Sequence, residues 1–320
     1  MTFTRRTLVA AAAVSFAFTL GAASARAQEF VNILTGGTSG AYYPIGVALG
    51  NIYSKAIPNA KVQVQPTKAS VENLNLLSTG KGELALTLGD TLSNAWKGDA
   101  EAGFSHKLST LRVLAAAYKN YIQIVATKDS GIKSLADLKG KRISVGAPKS
   151  GTEINARVVL GAAGISYKDF QKVEYLGFGE SVDLMKNRQI DVTLQSAGLG
   201  VSSIRDLASS VEIVIVPVPA DVVKKIGDAA YLPATIPAGT YTGQDQAVPA
   251  VAVANYFVTT TKVSNDLAYK MTKALVENLD TLYAAHSAAK GIVKTEMAAN
   301  PPVPLHPGAE KYYKEAGLLK

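Results

Sequence analysis

Short apolar runs alternate along the chain with segments whose apolar residues recur at helical spacing. In the segment after the first run, Ile45, Leu49, Ile52 and Tyr53 fall on one helix face. The runs that predict strands are 30–34, 61–65, 84–88, 111–117, 121–127, 143–145, 173–176, 190–194, 211–216 and 251–258. Helices are predicted between them, with a short one over 135–142 and the longest over 265–286. This alternation predicts an α/β fold with largely parallel sheets.

The order of these elements predicts two lobes, because the roughly 290 residues that follow an export signal fill two domains of ordinary size. The chain is predicted to cross into the second lobe at residues 118–120, between two strands. It is predicted to return near 248–251, where a proline-rich stretch precedes a strand and a helix. Lobe one therefore comprises residues 28–118 and 250–320 in this prediction, and lobe two comprises residues 119–249.

Residues 1–27 have the three parts of a secretory export signal. Arg5 and Arg6 give a basic start, residues 7–23 are apolar, and residues 25–27 supply the small side chains of a cleavage site. An uncleaved membrane anchor is the alternative, but the apolar stretch is short for a span and a cleavage pattern follows it. We therefore expect a periplasmic protein of a bacterium with two membranes.

The chain contains no cysteine, which excludes disulfides, thiol nucleophiles, cysteine-ligated metals and a lipid anchor on cysteine. Its formal net charge is +8, but no run of lysine and arginine predicts nucleic-acid binding. None of the three histidines, His106, His286 and His306, follows a predicted strand, so a histidine base is poorly supported. Without a G-x-S-x-G motif or a histidine–carboxylate cluster, we expect neither an enzyme nor a bound metal or other cofactor.

The turn after the first predicted strand combines glycines, hydroxyls and two tyrosines in the sequence TGGTSGAYYPIG, residues 35–46. In an open α/β sheet, ligands bind at the edge where strands lead into helices. Glycine lets a ligand approach the backbone, and the free N–H groups of a helix start favour an anion. The alternative is that these glycines serve only the geometry of the turn.

A second glycine-rich turn, GAPKSGTE at residues 146–153, fits a capping box. Ser150 would bond the N–H of Glu153, and the Glu153 side chain would reach back to the helix start. The N–H groups of Gly151 and Thr152 and the Thr152 hydroxyl would then be free to bind a carboxylate. A plain helix cap without a ligand is the alternative. A phosphate loop is rejected because Thr152 stands where that loop needs lysine.

A third segment, residues 231–244, is too rich in proline and glycine for a helix or a central strand. A loop of this length in a compact domain is usually functional or disordered. Its apolar residues, together with Tyr231 and Tyr241, argue against disorder. We therefore expect an ordered loop that could face the same cleft as the other two.

With these segments in this order, the chain resembles the TAXI family, the extracytoplasmic solute receptors of tripartite ATP-independent periplasmic (TRAP) transporters. The motifs that carry the resemblance are TGGTSGAYYPIG (35–46), SVENLNLL (70–77), GAPKSGTE (146–153), ATIPAGTYTGQ (234–244), ENLDTLYAAH (277–286) and PLHPGAEKYYKEAG (304–317). The resemblance covers the whole chain after the export signal. It implies an α/β, two-lobed periplasmic-binding-protein fold of type II topology, with a ligand cleft between the lobes.

The same resemblance implies a function and its partners. Such a receptor captures a small organic anion, often a glutamate- or 2-oxoglutarate-like dicarboxylate, and delivers it to the integral-membrane subunit of a TRAP transporter. The chain is accordingly expected to act as a monomer with these two partners. The alternatives are a periplasmic ligand-sensing subunit and a receptor of another importer class. An exported enzyme is the least supported alternative because catalytic motifs are missing.

The ligand loops of the family map onto ten positions of this sequence, and Lys149, which departs from the family pattern, is an eleventh candidate. The candidate ligand-binding residues are Thr38, Ser39, Gly40, Tyr43, Ser70, Asp90, Lys149, Ser150, Gly151, Thr152 and Gln195. Gln195 follows a predicted strand, where its amide would point into the cleft, or it is a solvated loop residue. Asp90 could bind a ligand amine or only cap the next helix. Tyr43 could contact the ligand or only pack in the core.

Two lysines depart from the pattern of the family. Lys149 stands where the family usually has glycine, and Lys68-Ala69 stands where a glycine pair is common before the serine. Either lysine could add charge near the cleft and change the ligand. Lys149 could equally face the solvent, as lysine usually does.

Overall fold

The computed structural model describes residues 28–319, so the predicted export signal lies outside the described residues. The strands are β1 Glu29–Leu34, β2 Ala60–Gln65, β3 Leu84–Leu88, β4 Leu111–Thr127, β5 Arg142–Ser144, β6 Lys172–Glu174, β7 Val192–Ala197, β8 Ile213–Val216, β9 Leu232–Ile236 and β10 Val248–Thr260. The helices are α1 Tyr42–Ala56, α2 Ser70–Ser78, α3 Gly89–Lys97, α4 Gly151–Ala162, α5 Phe178–Lys186, α6 Ser202–Ser210, α7 Ala220–Ile226, α8 Asn265–Glu277, α9 Leu279–Ala285 and α10 Pro307–Glu315.

These strands form one sheet with the main order β2-β1-β3-β10-β4-β7-β5-β6, in which β8 also pairs with β4 and β9 with β10. The pairs β1–β2, β1–β3, β5–β6 and β5–β7 are parallel. β10 is antiparallel to β3 and β4, and β4 is antiparallel to β7. We call β1–β3 with α1–α3 the first half and β5–β7 with α4–α6 the second half. The predicted parallel pairing is therefore found within each half, and an antiparallel pair joins the two.

The joining strands β4 and β10 are each continuous from one half to the other. The predicted break at residues 118–120 is wrong, because Lys119 lies opposite Ala254 and Asn120 opposite Val253 in an unbroken strand. Polar side chains interrupt the apolar run there, but backbone pairing holds the strand together. The chain passes between the halves within strands, and the predicted lobe limits stay a prediction.

Helix α1 shows how the apolar pattern becomes packing. Its predicted face, Ile45, Leu49, Ile52 and Tyr53, is at most 6% exposed and lies in a core cluster with residues of β1, α8 and α9. Full burial of each such side chain contributes about 1.5–3 kcal/mol. The long helix predicted over 265–286 is divided at Asn278 into α8 and α9.

The parallel strands of each half place their helix starts along one edge. In the first half, β1, β2 and β3 lead into α1, α2 and α3, and in the second half β5, β6 and β7 lead into α4, α5 and α6. Because parallel strands share a direction, the starts within one half lie side by side, and the two rows meet across β4 and β10. None of the helices within residues 28–319 combines the length and apolar character needed to span a membrane.

Candidate functional site: a cleft between two rows of helix starts

A cleft of about 540 Å³ lies between the two halves. The first half lines it with the turns before α1 and α2, and the second half with the turns before α4 and α5. Tyr118 and Asn120 of β4 and Ser196 of β7 also line it. The size lies within the range of small-molecule sites, roughly 300–1,000 Å³.

The start of α4 presents backbone N–H groups to this cleft that have no acceptor within residues 28–319. Ser150 Oγ accepts the N–H of Glu153 at 3.1 Å, which confirms the predicted cap. Gly151 and Thr152 line the cleft, and their N–H groups are the first two of the helix, which have no intrahelical acceptor. The second part of the predicted capping box is wrong. The Glu153 carboxylate pairs with Arg157 Nε at 3.0 Å and accepts the Tyr167 hydroxyl at 3.1 Å.

Three further helix starts face the cleft, and two of them already hold a carboxylate of their own chain. At α5, the N–H of Gly177 donates to Glu180 Oε2 at 2.9 Å. At α2, Glu72 Oε2 accepts the N–H of Lys68. The first turn of α1 contains no acidic residue. Glu153 lies in the first turn of α4, but its carboxylate pairs with Arg157, so α1 and α4 are the two starts that no carboxylate of the described residues caps through a hydrogen bond.

The two halves touch each other directly around the cleft. The N–H of Glu72 donates to the carbonyl oxygen of Lys149 at 3.1 Å. Ser202 Oγ donates to the carbonyl oxygen of Ser39 at 2.9 Å. Gly151 packs so closely that a Cβ there would lie 2.6 Å from Leu88 Cδ1 of the first half. The structure is therefore a closed arrangement of the two halves.

Six of the eleven predicted site residues line the cleft, and their ligand roles stay a prediction. They are Ser39, Gly40, Ser70, Ser150, Gly151 and Thr152. Five others lie outside the lining: Thr38, Tyr43, Asp90, Lys149 and Gln195. In the turn before α1, the tyrosine that lines the cleft is Tyr42, the neighbour of the predicted Tyr43.

Gln195 and Asp90 are buried beside the cleft rather than open to it. Gln195 is fully buried within β7, and its Oε1 accepts the Ser203 hydroxyl at 2.7 Å, so the expectation that its amide points into the cleft is wrong. The solvated-loop alternative is wrong as well. Asp90 is the second residue of α3, and its carboxylate does not cap that helix.

Asp90 instead links the halves beneath the cleft. Its Oδ2 accepts Asn155 Nδ2 and the Tyr231 hydroxyl, each at 2.7 Å. Asn155 Oδ1 in turn accepts the Ser196 hydroxyl at 2.6 Å. Tyr231 belongs to the third predicted segment, which therefore anchors the halves to each other through its tyrosine. Burial raises the pKa of Asp90, and the hydrogen bonds from Tyr231, Thr91 and Asn155 oppose that rise.

The pH dependence of stability should report this buried carboxyl. Because the folded-state pKa is raised from 3.8, Asp90 contributes stability at pH values below 3.8, and this contribution is lost as the pH rises through the raised pKa. Asp90→Asn carries no charge and escapes this loss. In urea unfolding, the free energy of unfolding of the variant should rise relative to that of the parent as the pH rises from 3.8. The relative gain should be about 1.4 kcal/mol for each unit by which the folded-state pKa is raised.

A carboxyl with the opposite shift provides the control for this measurement. Hydrogen bonds from Ser134 and Lys133 lower the pKa of Asp137. The free energy of unfolding of Asp137→Asn should therefore fall behind that of the parent as the pH rises toward 3.8, so this change lies below the pH range of the Asp90 change and has the opposite sign. Equal pH profiles for Asp90→Asn and the parent would show that Asp90 keeps an ordinary pKa in the folded protein.

The two departures from the family pattern both carry unusual backbone angles. Lys149 has φ 62° and an exposed side chain outside the cleft lining, so its position agrees with a solvated lysine. Ala69, which does line the cleft, has φ 69° and ψ −148°, a region populated almost only by glycine. These angles give a physical reason for glycine at both positions in the family that the sequence resembles.

Ala69→Gly should therefore stabilise the protein. The strained angles cost on the order of 1–3 kcal/mol, which glycine would relieve. The greater conformational entropy of glycine in the unfolded chain offsets roughly 0.5–1 kcal/mol of this gain. We expect a net gain of about 1 kcal/mol in the free energy of unfolding by urea. Ala41→Gly is the matched control: Ala41 precedes α1 with an ordinary φ of −74°, so the same change should destabilise there. A loss of stability in both variants would contradict the strain at Ala69.

The residues that form the floor of the cleft were not predicted from the sequence. Tyr42 donates its hydroxyl to Asn255 Oδ1, and Asn255 Nδ2 donates to Asn120 Oδ1 at 2.8 Å. Asn120 Nδ2 continues to the carbonyl oxygen of Ser196 at 2.9 Å. The Tyr118 hydroxyl is buried here and has no hydrogen-bond partner among residues 28–319. Alternation along one unbroken strand, which puts residues 118 and 120 on the same face, is the signal that could have found them.

Comparisons with known proteins agree with this architecture. A family model described as the NMT1-like family matches residues 33–317. PhnD1 from Prochlorococcus marinus, solved in complex with methylphosphonate, superposes with a TM-score of 0.57 at 12% identity, covering 91% of this chain and 100% of that chain. A putative L-cystine ABC transporter from Listeria monocytogenes gives 0.52 at 16% identity, covering 83% and 99%. These likenesses confirm the predicted α/β periplasmic-binding-protein fold.

Proposed function

The chain belongs to the NMT1-like family, and from this premise we propose that it is a periplasmic solute-binding protein that captures a small organic anion in the cleft. The observation that carries the proposal is the pair of helix starts, α1 and α4: the first turn of α1 has no acidic residue, and the Glu153 carboxylate in the first turn of α4 is paired with Arg157. Of the described residues that line the cleft, none is a histidine, which favours binding over catalysis.

The resemblance found in the sequence supplies the finer form of the proposal. It makes the ligand a glutamate- or 2-oxoglutarate-like dicarboxylate and the partner the integral-membrane subunit of a TRAP transporter. The predicted export signal supports a periplasmic location. Support for the TRAP partner comes from the sequence motifs, whereas the cleft supports the anionic group of the ligand.

A receptor of an ABC-type importer is the second candidate. The likeness to the putative L-cystine ABC transporter from Listeria monocytogenes favours it at the level of the fold. The two importer classes differ in their need for ATP. The test measures uptake of the ligand from the loaded protein into vesicles that contain the partner membrane subunit. Uptake in the absence of ATP would support the TRAP partner. Uptake that requires ATP would support the ABC-type importer.

A thermal-shift screen after removal of bound ligand tests the binding function. The purified protein is unfolded, dialysed, refolded and screened against organic acids and amino acids. A ligand that binds only the folded protein raises its Tm, by the equivalent of about 2.7 kcal/mol at a hundred times its Kd. Organic acids should raise the Tm and matched neutral amides should not. A panel without any response to organic acids would contradict the proposal.

Thr152→Val tests the anion site at the start of α4. The Thr152 Cγ2 methyl packs against Gly146, where a Cβ would lie 2.7 Å away, so valine keeps the shape and removes the hydroxyl. A hydrogen bond to a charged group contributes about 1.5–3 kcal/mol, so affinity for the organic acid should fall roughly tenfold or more. Thr152→Ser should retain binding. Unchanged affinity in Thr152→Val would make this turn purely structural.

A further inference from the structure

The walls of the cleft away from the helix starts are largely apolar. The second half contributes Pro148, Leu176 and the half-buried Phe178. The first half contributes Leu88 and the ring of Tyr42. The Phe178 ring lies across the cleft from Gly40, where a Cβ would be 3.7 Å from it. A methyl group at Gly40 would therefore already touch the ring, so the two sides of the cleft approach each other closely at Phe178.

Few charges reach this space. Of the described residues that line the cleft, Lys68 and Glu180 are charged; both are exposed, and their signs are opposite. Asp90, the nearby buried carboxyl, lies outside the lining. A charged group of a ligand placed against the apolar walls would lose its hydration without gaining a partner, which is strongly unfavourable.

The backbone donors suffice for one anionic group. A helix start carries roughly half an elementary charge. The first turn of α1 has no acidic residue and Glu153 of α4 is neutralised by Arg157, so these two starts together match about one negative charge. The starts of α2 and α5 already have the carboxylates of Glu72 and Glu180 beside them. At the floor, the unpartnered Tyr118 hydroxyl adds a donor without adding charge, since burial raises its pKa well above the usual value.

The volume of the cleft also exceeds the needs of a short dicarboxylate. At about 540 Å³ it lies in the middle of the range for small-molecule sites, roughly 300–1,000 Å³, so it admits a ligand larger than a short dicarboxylate. The second carboxylate of a short dicarboxylate would then meet either the apolar walls or the residual water. An apolar group would instead displace that water and bury its own surface against Phe178 and Leu176.

We propose that the ligand is a monocarboxylate with an apolar body about the size of a phenyl ring. Its carboxylate lies between the starts of α1 and α4, and its body lies against Phe178 and the neighbouring apolar wall. This rests on the proposed function of the cleft and changes one part of it: an apolar group replaces the second carboxylate of the dicarboxylate. Phe178 is then the residue that determines specificity.

Isothermal titration of the refolded protein with phenylacetate and with glutarate tests this assignment. Phenylacetate should bind at least tenfold more tightly than glutarate, a difference of ~1.4 kcal/mol. Phe178→Ala should lower the affinity for phenylacetate about tenfold and leave the affinity for glutarate within about twofold of that of the parent protein. Phe30→Ala, which removes a phenyl ring that is 56% exposed and lies outside the cleft, should change neither affinity. If Phe178→Ala does not fold, Phe178→Leu should show the same selective loss of affinity for phenylacetate, but a smaller one.

The outcomes separate the ligand class from the binding function. Tighter binding of glutarate than of phenylacetate, lost in Lys68→Gln, would put a second carboxylate at the rim and overturn the monocarboxylate while the solute-binding function stands. Equal losses for both acids in Phe178→Ala would also overturn the role of Phe178. Failure of both acids, and of every other organic acid in the thermal-shift panel, would overturn the binding function itself.

Discussion

Gly151→Ala is expected to weaken ligand binding by roughly 10- to 100-fold, the equivalent of 1–3 kcal/mol of overpacking, while the ligand-free protein stays about as stable as the parent. The added Cβ would lie 2.6 Å from Leu88 Cδ1 and 2.8 Å from Ser70 Oγ, both in the opposite half. Leu88 is 2% exposed and its N–H is bonded to Ser70 Oγ, so neither group has room to move away. The substitution therefore penalises the closed arrangement and leaves an open one unaffected.

The control for this variant lies in the same helix. Gly161→Ala places its Cβ where no atom lies within 4 Å, and it should stabilise α4 by about 1 kcal/mol without affecting binding. Titration gives the affinities for an organic acid found by the thermal-shift screen. At a ligand concentration that saturates the parent but not Gly151→Ala, small-angle scattering should show a smaller radius of gyration for the parent and for Gly161→Ala than for Gly151→Ala. A compact, tightly binding Gly151→Ala would mean that closure does not require this contact.

Asn155→Ala should lower the free energy of unfolding by about 3 kcal/mol or more, because each buried polar group left without its partner costs about 1–3 kcal/mol. Asn155 is fully buried and bonds Asp90, Tyr231 and Ser196. Its loss removes one donor from the Asp90 carboxylate and the Oδ1 acceptor from the Ser196 hydroxyl. Urea unfolding provides the measurement.

A less connected asparagine calibrates that loss. Asn75 is half-buried, and its Nδ2 bonds only the carbonyl oxygen of Val71 within its own helix. Asn75→Ala should cost under about 1 kcal/mol. Combining Asn155→Ala with Asp90→Ala should cost less than the sum of the two single changes, because the buried carboxylate is then gone. If Asn75→Ala and Asn155→Ala lower the free energy of unfolding by similar amounts, the buried network around Asn155 is not a special source of stability.

The parts of the site that could be predicted are local in sequence. The Ser150 cap depends on a hydroxyl and a backbone N–H only three residues apart, so the spacing alone predicts it. The glycine-rich turn before α1 is recognisable for the same reason. Ser39 and Gly40 line the cleft because this turn joins a parallel strand to its helix.

The errors at Gln195 and at the floor come from strand limits and long-range pairing. The strand predicted over 190–194 extends as β7 to Ala197, which places Gln195 inside it. Neighbouring strand residues point to opposite faces, so Ser196 points to the cleft and Gln195 faces away from it. Ala197, at the end of the strand, also lines the cleft. The Asp90–Tyr231 bond joins residues 141 positions apart, and no local pattern encodes such a contact.

The continuous strands β4 and β10 also set the order in which the chain can fold. Their pairing joins residues 111–122 to residues 251–260, the most extensive contact between any two strands of the sheet. Contacts so distant in sequence form slowly, because a long loop must close first. The first half can assemble β1 to β3 early, but β3 gains its second neighbour only when β10 arrives. A chain threaded through a membrane from its amino terminus would therefore hold an exposed strand edge until residue 260 had emerged, and this interval is when it is most open to aggregation and to chaperones.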